Sequence, residues 1–443
     1  MSGSGTNGTA GRAVRFPTVS PPPGARLGAG WGQVVSRPRN RLTVVVTAVL
    51  VPLLVLAVAA MAATWPGERR ETARVIEPVE VQYPTAVVTG TAQESCQGTV
   101  EDQRPDGSIP ETVTCMRVTA DVTSGSQAGR SIQVWATATL TPADVGTGTR
   151  IVVEWYPATQ TDDEVWAWHD FQRSLPLGAL LALFAISIVL VAGYRGARAL
   201  LGLIAAFAVI GVYVLPALLA GENAVVVALA ASTVIMTAVL YLAHGLSLRT
   251  STALIGTLAG LALTTGLGAF GARWAHLSGV TSEDDYRLAQ LLGDVGAVSL
   301  RSLFLAGLVL AGLGVLNDVT ITQASAVWEL RAASPHATRL ELFRGGMRIG
   351  RDHIASTVYT IAFAYTGASL PVLLLLLIYQ LPLLSTLTSG QFAAEIVRTA
   401  VSSIGLVLAI PLTTVIAVMV VTATGATVPR HSHSHSHGHS HAT

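Results

Sequence analysis

The chain has 443 residues, 51% of them hydrophobic and only 12% charged, and its 27 basic residues against 26 acidic ones leave a net charge of +1. A soluble domain carries about twice that charged share, so composition excludes a soluble globular protein and points to an integral membrane protein. The near-neutral balance gives no reason to expect nucleic acid as a partner.

Residues 1–42 are rich in Gly, Ser, Pro and Arg. They include Arg12, Arg15, Arg26, Arg37, Arg39 and Arg41 and no acid. Such a segment has too little apolar surface to fold by itself, and its arginines place it in the cytoplasm by the positive-inside rule. Residues 43–63 form an uncharged apolar run long enough to cross a hydrocarbon core of about 30 Å. They read as a retained anchor.

Residues 64–174 are polar and should lie outside the cell. Period-2 alternation marks strands. Val118, Ala120 and Val122 alternate with Thr119, Asp121 and Thr123, Ile132, Val134 and Ala136 with Gln133 and Trp135, and Arg150–Tyr156 is a further strand. Turn signals separate them at Pro105-Asp106-Gly107, Ser124-Gly125 and Gly146-Thr147-Gly148. The pattern predicts about five to seven strands in a small barrel or sandwich. The only two cysteines, Cys96 and Cys115, both fall here. An extracytoplasmic site permits a disulfide between them; two free thiols are the alternative. Trp166, Trp168 and His169 precede the next apolar run and read as an interfacial aromatic belt.

Residues 175–422 read as a bundle of about seven further membrane helices. The runs are Leu175–Tyr194, Leu200–Ala220, Ala224–Ala243, Thr252–Phe270, Leu300–Leu316, Ile354–Tyr379 and Val401–Val421. Gly256 and Gly260 give the fifth span of the chain a face for close helix packing. Leu288–Ser299, with Asp294, is too short to span and reads as re-entrant or interfacial. Arginines follow the second, fourth and sixth spans, which puts both termini inside. Residues 329–351 mix Leu340, Phe343 and Met347 with arginines at helical spacing and predict an amphipathic cytoplasmic helix on the membrane. The fold class is therefore a mainly α-helical polytopic membrane protein, with about eight transmembrane helices and a small extracytoplasmic β domain.

The tail, residues 423–443, places imidazoles at His431, His433, His435, His437, His439 and His441. Alternating imidazoles can bind Zn, Ni, Co or Cu loosely; a low-complexity tail without a role is the other reading. No other cofactor is indicated.

Chemistry concentrates around Asn317-Asp318 and Arg351-Asp352-His353, where ionisable residues meet two apolar runs. In a continuous helix Asp318, Thr322, Ser325 and Glu329 share one face. Past Asp352, a second stripe comprises His353, Ser356, Thr357 and Thr360. Acids inside spans are costly and therefore functional by default. Facing stripes would suit a proton relay or a polar solute path. The competing reading is that the hydroxyls bond back to their own helices and the acids sit at a wet boundary.

Gly312-Leu313-Gly314, Asn317-Asp318-Val319-Thr320, Gln323-Ala324-Ser325, Glu329-Leu330, Gly350-Arg351-Asp352-His353 and Ala364–Pro371 resemble the YibE/F family of bacterial multipass membrane proteins. The order of parts, anchor then β domain then bundle, resembles it too. At Asn317 the resemblance leads one to expect a second acid, so Asp318 stands here as the sole carboxylate of that motif. The resemblance implies a permease of the bacterial plasma membrane, with no defined substrate.

The resulting expectation is a proton-coupled secondary transporter of a small solute or ion, acting in the lipid bilayer and compatible with a homo-oligomer. Asp318 would carry the proton or cation, Asp352 and His353 would exchange with it, and Thr322, Ser325, Ser356, Thr357 and Thr360 would line the path. The alternative is a non-transporting envelope scaffold whose β domain docks a partner. An enzyme is not expected, because no HExxH, GxSxG or phosphate-cradling glycine loop is present.

Overall fold

The computed structural model describes residues 39–67, 81–104, 106–137, 140–158, 163–292, 299–378, 380 and 382–423. Residues 1–38 of the arginine-rich head, Asp294 and the histidines of the tail lie outside the described residues.

The polar region folds as one antiparallel sheet of five strands. They are β1 (Thr85–Gln97), β2 (Thr112–Val122), β3 (Ser131–Trp135), β4 (Arg150–Tyr156) and β5 (Val165–Phe171), in the order β3-β2-β1-β4-β5. One face is a core: Ala86, Val88, Val118, Ala120, Val122, Ile132, Val134, Ile151 and Val153 are all buried. These are the alternate residues of each strand, as period-2 patterning requires. Five strands form, within the expected range, but as a single sheet and not a sandwich. Cys96 and Cys115 are joined by a disulfide between β1 and β2, with Cα atoms 5.8 Å apart.

Trp166 and Trp168 are not an interfacial belt. They belong to β5 and pack against the sheet's buried core. The alternation of β5 turns the indoles inward, which a count of aromatic residues near a span cannot reveal.

The remainder is helical: α1 (Arg39–Ala63), α2 (Ser174–Val209), α3 (Leu215–Leu219), α4 (Ala224–His244), α5 (Leu248–Trp274), α6 (Glu283–Leu292), α7 (Leu300–Ala333), α8 (Arg339–Ala368), α9 (Leu370–Ile378), α10 (Leu383–Leu387) and α11 (Gly390–Ala423). Six helices are long and apolar enough to cross a membrane, or seven when α8 and α9, bent by 57°, count as one span. The 46-residue run Ser174–Leu219 counts as one of them. Within it Gly193 has φ 58° and ψ −141°, a conformation open to glycine and costly for other residues. A Cβ placed on Gly196 would stand 2.6 Å from the Ile188 carbonyl oxygen, whereas residues eight apart in a continuous helix are about 12 Å apart. The chain therefore doubles back at Gly193.

Helices α4, α5, α7 and α11 make the core of the bundle. Small residues set their spacing. Gly256 abuts Thr413, Gly260 abuts Leu316 and Ala409, and Gly405 abuts Thr264, the close approach that small residues allow between membrane helices. Helix α1 packs against α4 and α5, and Thr64 Oγ1 hydrogen-bonds Tyr213 Oη at 2.6 Å. Asn223 caps α4 by accepting from the Val225 and Val226 amides.

Candidate functional site

Helix α7 runs unbroken through Asn317-Asp318 to Ala333. Asp318, Thr322, Ser325 and Glu329 accordingly lie on one face. Helix α8 starts with a capping box in which Thr338 and Glu341 satisfy each other's backbone amides, removing the orphan donors that would otherwise fray the start. It then continues to Ala368. Residues 329–333 finish α7, and 339–351 are the first turns of the helix that carries the next apolar run. They are not a separate helix lying on a membrane surface. Leu342 packs among Val327, Ala417, Val418 and Val421, and Gly346 and Gly350 let α8 settle onto α7 and α11.

Gln323 joins these three helices. It is 3% exposed, and its Nε2 donates to the Gly346 carbonyl at 2.8 Å and to Thr414 Oγ1 at 2.7 Å. A Cβ on Gly350 would stand 3.1 Å from Gln323 Oε1. A second buried polar contact, Thr257 Oγ1 to Thr320 Oγ1 at 2.6 Å, ties α5 to α7. Sequence reading missed both as structural anchors. The available signal was a lone glutamine in an apolar helix opposite Gly346-x-x-x-Gly350.

This packing decides where the ionisable residues fall. Gln323, Val319 and Val327 take the inward face of α7, and Asp318 and Thr322 are therefore turned outward. His353 of α8 comes alongside: its Nε2 lies 3.8 Å from Asp318 Oδ2, with the two side chains 38% and 70% exposed. That separation is an ion-pair contact but lies beyond hydrogen-bond reach, and among the described residues His353 Nε2 has no hydrogen-bond partner. Asp352 points outward beside Arg351.

The hydroxyls do not line an enclosed passage between α7 and α8. Thr322 Oγ1 donates to the Asp318 carbonyl at 2.6 Å, Thr357 to that of His353 at 2.9 Å, and Thr360 to that of Ser356 at 3.0 Å. Each satisfies its donor on its own helix, and their lone pairs alone face outward. Ser325 is half-buried and Ser356 exposed. The structure brings Asp318 and His353 together; it does not set the two hydroxyl stripes face to face.

The depth of the pair follows from helix rise. Glu329 meets Arg249 at 3.9 Å, and Arg331 donates to the Ala337 carbonyl, so this end of the bundle is charged. Asp318 is about 16 Å further along α7, but Arg348, Arg351 and Asp352 of α8, all exposed and within two turns of His353, carry charge to the level of the pair. At the other end of α8, a depression of about 360 Å³ opens between α8, α9 and α11, lined by Tyr365, Thr366, Glu395 and Thr399 among others.

Among the described residues no three His, Cys, Asp or Glu side chains stand close enough to hold a metal ion; His431, His433, His435, His437, His439 and His441 lie outside them.

Residues 180–423, more than half of the chain, match the family described as YibE/F-like protein. Neither the curated proteins nor the solved structures hold a match to this chain.

Proposed function

We propose, from the premise that the chain belongs to the YibE/F-like family and carries at least six helices able to cross a membrane, that it is a secondary transporter of a small solute or ion, driven by protons. The observation that carries the reading is the Asp318–His353 pair at 3.8 Å, which brings a carboxylate and an imidazole together between two helices whose apolar runs are long enough to cross a bilayer. Ionisable groups beside such runs are rare without a use. Each can change charge state as access alternates, coupling titration to conformation. Asp318 is the carrier, His353 its exchange partner and Asp352 the entry acid. Thr322, Ser325, Ser356, Thr357 and Thr360 are the candidates to line a route once a second copy of the chain covers this face.

Orientation follows the charges. The arginine-rich head and the tail are cytoplasmic, and the β domain is outside the plasma membrane, where its disulfide is chemically at home. Counting the reversal at Gly193 and the bent α8–α9 pair as two further spans, this reading takes the chain across the bilayer eight times. Because the Asp318 face opens outward from the bundle, a second copy of the chain completes the route as a homo-oligomer.

The test uses proteoliposomes with an imposed pH gradient, an internal pH-sensitive dye, and a panel of divalent metals, phosphate and organic acids. The wild-type chain should move protons when one panel member is present, and Asp318→Asn should abolish that movement while the protein still purifies folded. Unchanged flux in Asp318→Asn removes this residue from the mechanism. The absence of proton-linked flux with every panel member favours the scaffold reading, in which the β domain docks a partner.

A further inference from the structure

From Ser302 to Thr322, only Gly307, Ala311, Gly314, Asp318 and Thr322 of α7 are exposed. Their spacing puts them in one line along the helix. A Cβ on Gly307 or Gly314 would meet nothing within 4 Å, so this side of the bundle is open. Small residues in such a line let a second helix approach closely.

The same line carries a pair of unsatisfied donor atoms. His353 Nε2 lies 3.8 Å from Asp318 Oδ2. It is shielded from solvent and has no hydrogen-bond partner among the described residues. The gap is too long for a hydrogen bond. A zinc-type ion bonds imidazole nitrogen and carboxylate oxygen at about 2.0–2.2 Å, so one ion placed between the two atoms reaches both. Arg348 and Arg351 precede His353 on α8 but stand about 140° and 160° round the helix from it, away from this gap.

One copy does not complete such a site. Among the described residues no three His, Cys, Asp or Glu side chains come together, and a zinc-type ion takes four ligands in a tetrahedron. Two copies in one membrane share an orientation, so they pair about an axis along its normal, and a patch on that axis meets its own image. The image of Asp318 is a second Asp318. Two carboxylates face to face repel unless a cation lies between them.

We propose that Asp318 and His353 from each of two copies hold one divalent ion of the zinc or cobalt type, on the axis where the open faces of α7 meet. Two imidazoles and two carboxylates in a tetrahedron suit these ions, whereas Mg and Ca favour six or more oxygen ligands. The ion's role as cargo rests on the transporter reading above; its binding does not.

The test uses the full chain at two copies per nanodisc, with the six histidines from His431 to His441 changed to serine so that the tail takes no metal. Co(II) alone is the probe, because its visible spectrum separates a tetrahedral site from the hydrated ion. At equilibrium and without a pH gradient, the discs should bind one Co(II) per two chains with a tetrahedral spectrum. Asp318→Asn and His353→Gln should each weaken binding about a hundredfold, the upper end of what loss of an outer-shell partner costs. Gly314→Leu puts bulk on the open face; it should leave the thermal transition in place, give single copies in detergent and abolish the tetrahedral spectrum. An octahedral spectrum overturns the proposal, as does one Co(II) per chain that survives Gly314→Leu, or unchanged affinity in Asp318→Asn. Absence of saturable binding overturns it too, and leaves the transporter reading standing where the chain moves protons. Tetrahedral binding in a chain that moves no protons with any panel member supports the site and removes the transporter reading instead.

Discussion

His353 and Asp318 meet at 3.8 Å because α8 is seated on α7 by two glycines, not because the pair attracts strongly. Gly346 and Gly350 sit one helical turn apart against Val327, Thr414, Ile410 and Gln323, and His353 follows within the next turn. An ion pair this exposed contributes little to stability. The contact is a product of packing.

Asp318→Asn and His353→Gln should each shift the thermal midpoint in detergent only slightly, equivalent to under about 1 kcal/mol. The same variants should lose proton-linked flux. A large loss of stability from either would make the pair structural and remove the reason to read it as functional.

Gln323→Leu should destabilise the bundle more than either. It removes two buried hydrogen bonds, to the Gly346 carbonyl and to Thr414. Deleting an interhelical bond in a membrane costs about 0.6 kcal/mol on average and up to ~1.7. The Gly346 carbonyl keeps its helical bond and Thr414 Oγ1 still donates to Ile410, so the expected total is about 1–2 kcal/mol. Unfolding in mixed detergent, followed by tryptophan fluorescence, measures it.

Glycines should divide into two classes. A Cβ at Gly256 would stand 2.5 Å from Thr413 Oγ1, and one at Gly405 would collide with Thr264, whereas at Gly307 and Gly314 nothing lies within 4 Å. Gly256→Ala and Gly405→Ala should therefore cost about 1–3 kcal/mol through overpacking. Gly307→Ala and Gly314→Ala should leave monomer stability unchanged in the same assay. If the Asp318 face is covered by a second copy, Gly314→Cys in native membranes should give a cross-linked dimer on mild oxidation.

Replacing both cysteines with serine should lower the stability of the β domain by about 3 kcal/mol. The bond closes a loop between residues 19 apart in sequence, and the chain-entropy model assigns a loop of that size roughly this value. Melting of the double variant, set beside wild type with and without reductant, separates the disulfide from the side chains.

On the outer surface of the sheet, Glu154 accepts from Tyr156 Oη at 2.7 Å and contacts His169 Nδ1 at 2.8 Å. The tyrosine hydroxyl first, and the histidine next, hold its carboxyl below the ordinary glutamate range. A depressed folded pKa stabilises the fold above the unfolded value of about 4.3, and that contribution fades as pH falls toward the folded value. Acid titration of the melting transition should therefore show a loss below about pH 4.3 that is smaller in Tyr156→Phe. An identical acid limb in the variant would mean that the hydroxyl is not the main cause.

The sequence by itself determined the membrane class, the order anchor–β domain–bundle, and the strands at Val118, Ile132 and Arg150, because each is written in a local pattern. Span length, period-2 alternation and turn residues act on neighbours in the chain. It also placed Asp318, Thr322 and Ser325 on one face, since helix geometry alone requires it. Only the tertiary structure decided which way that face turns. Gln323 and the glycines of α8 claim the inward side, and Asp318 is left looking outward with His353 beside it. The inward turn of Trp166 and Trp168 and the reversal at Gly193 were equally invisible beforehand. Each depends on what a residue packs against, and that is fixed by contacts between segments far apart in sequence.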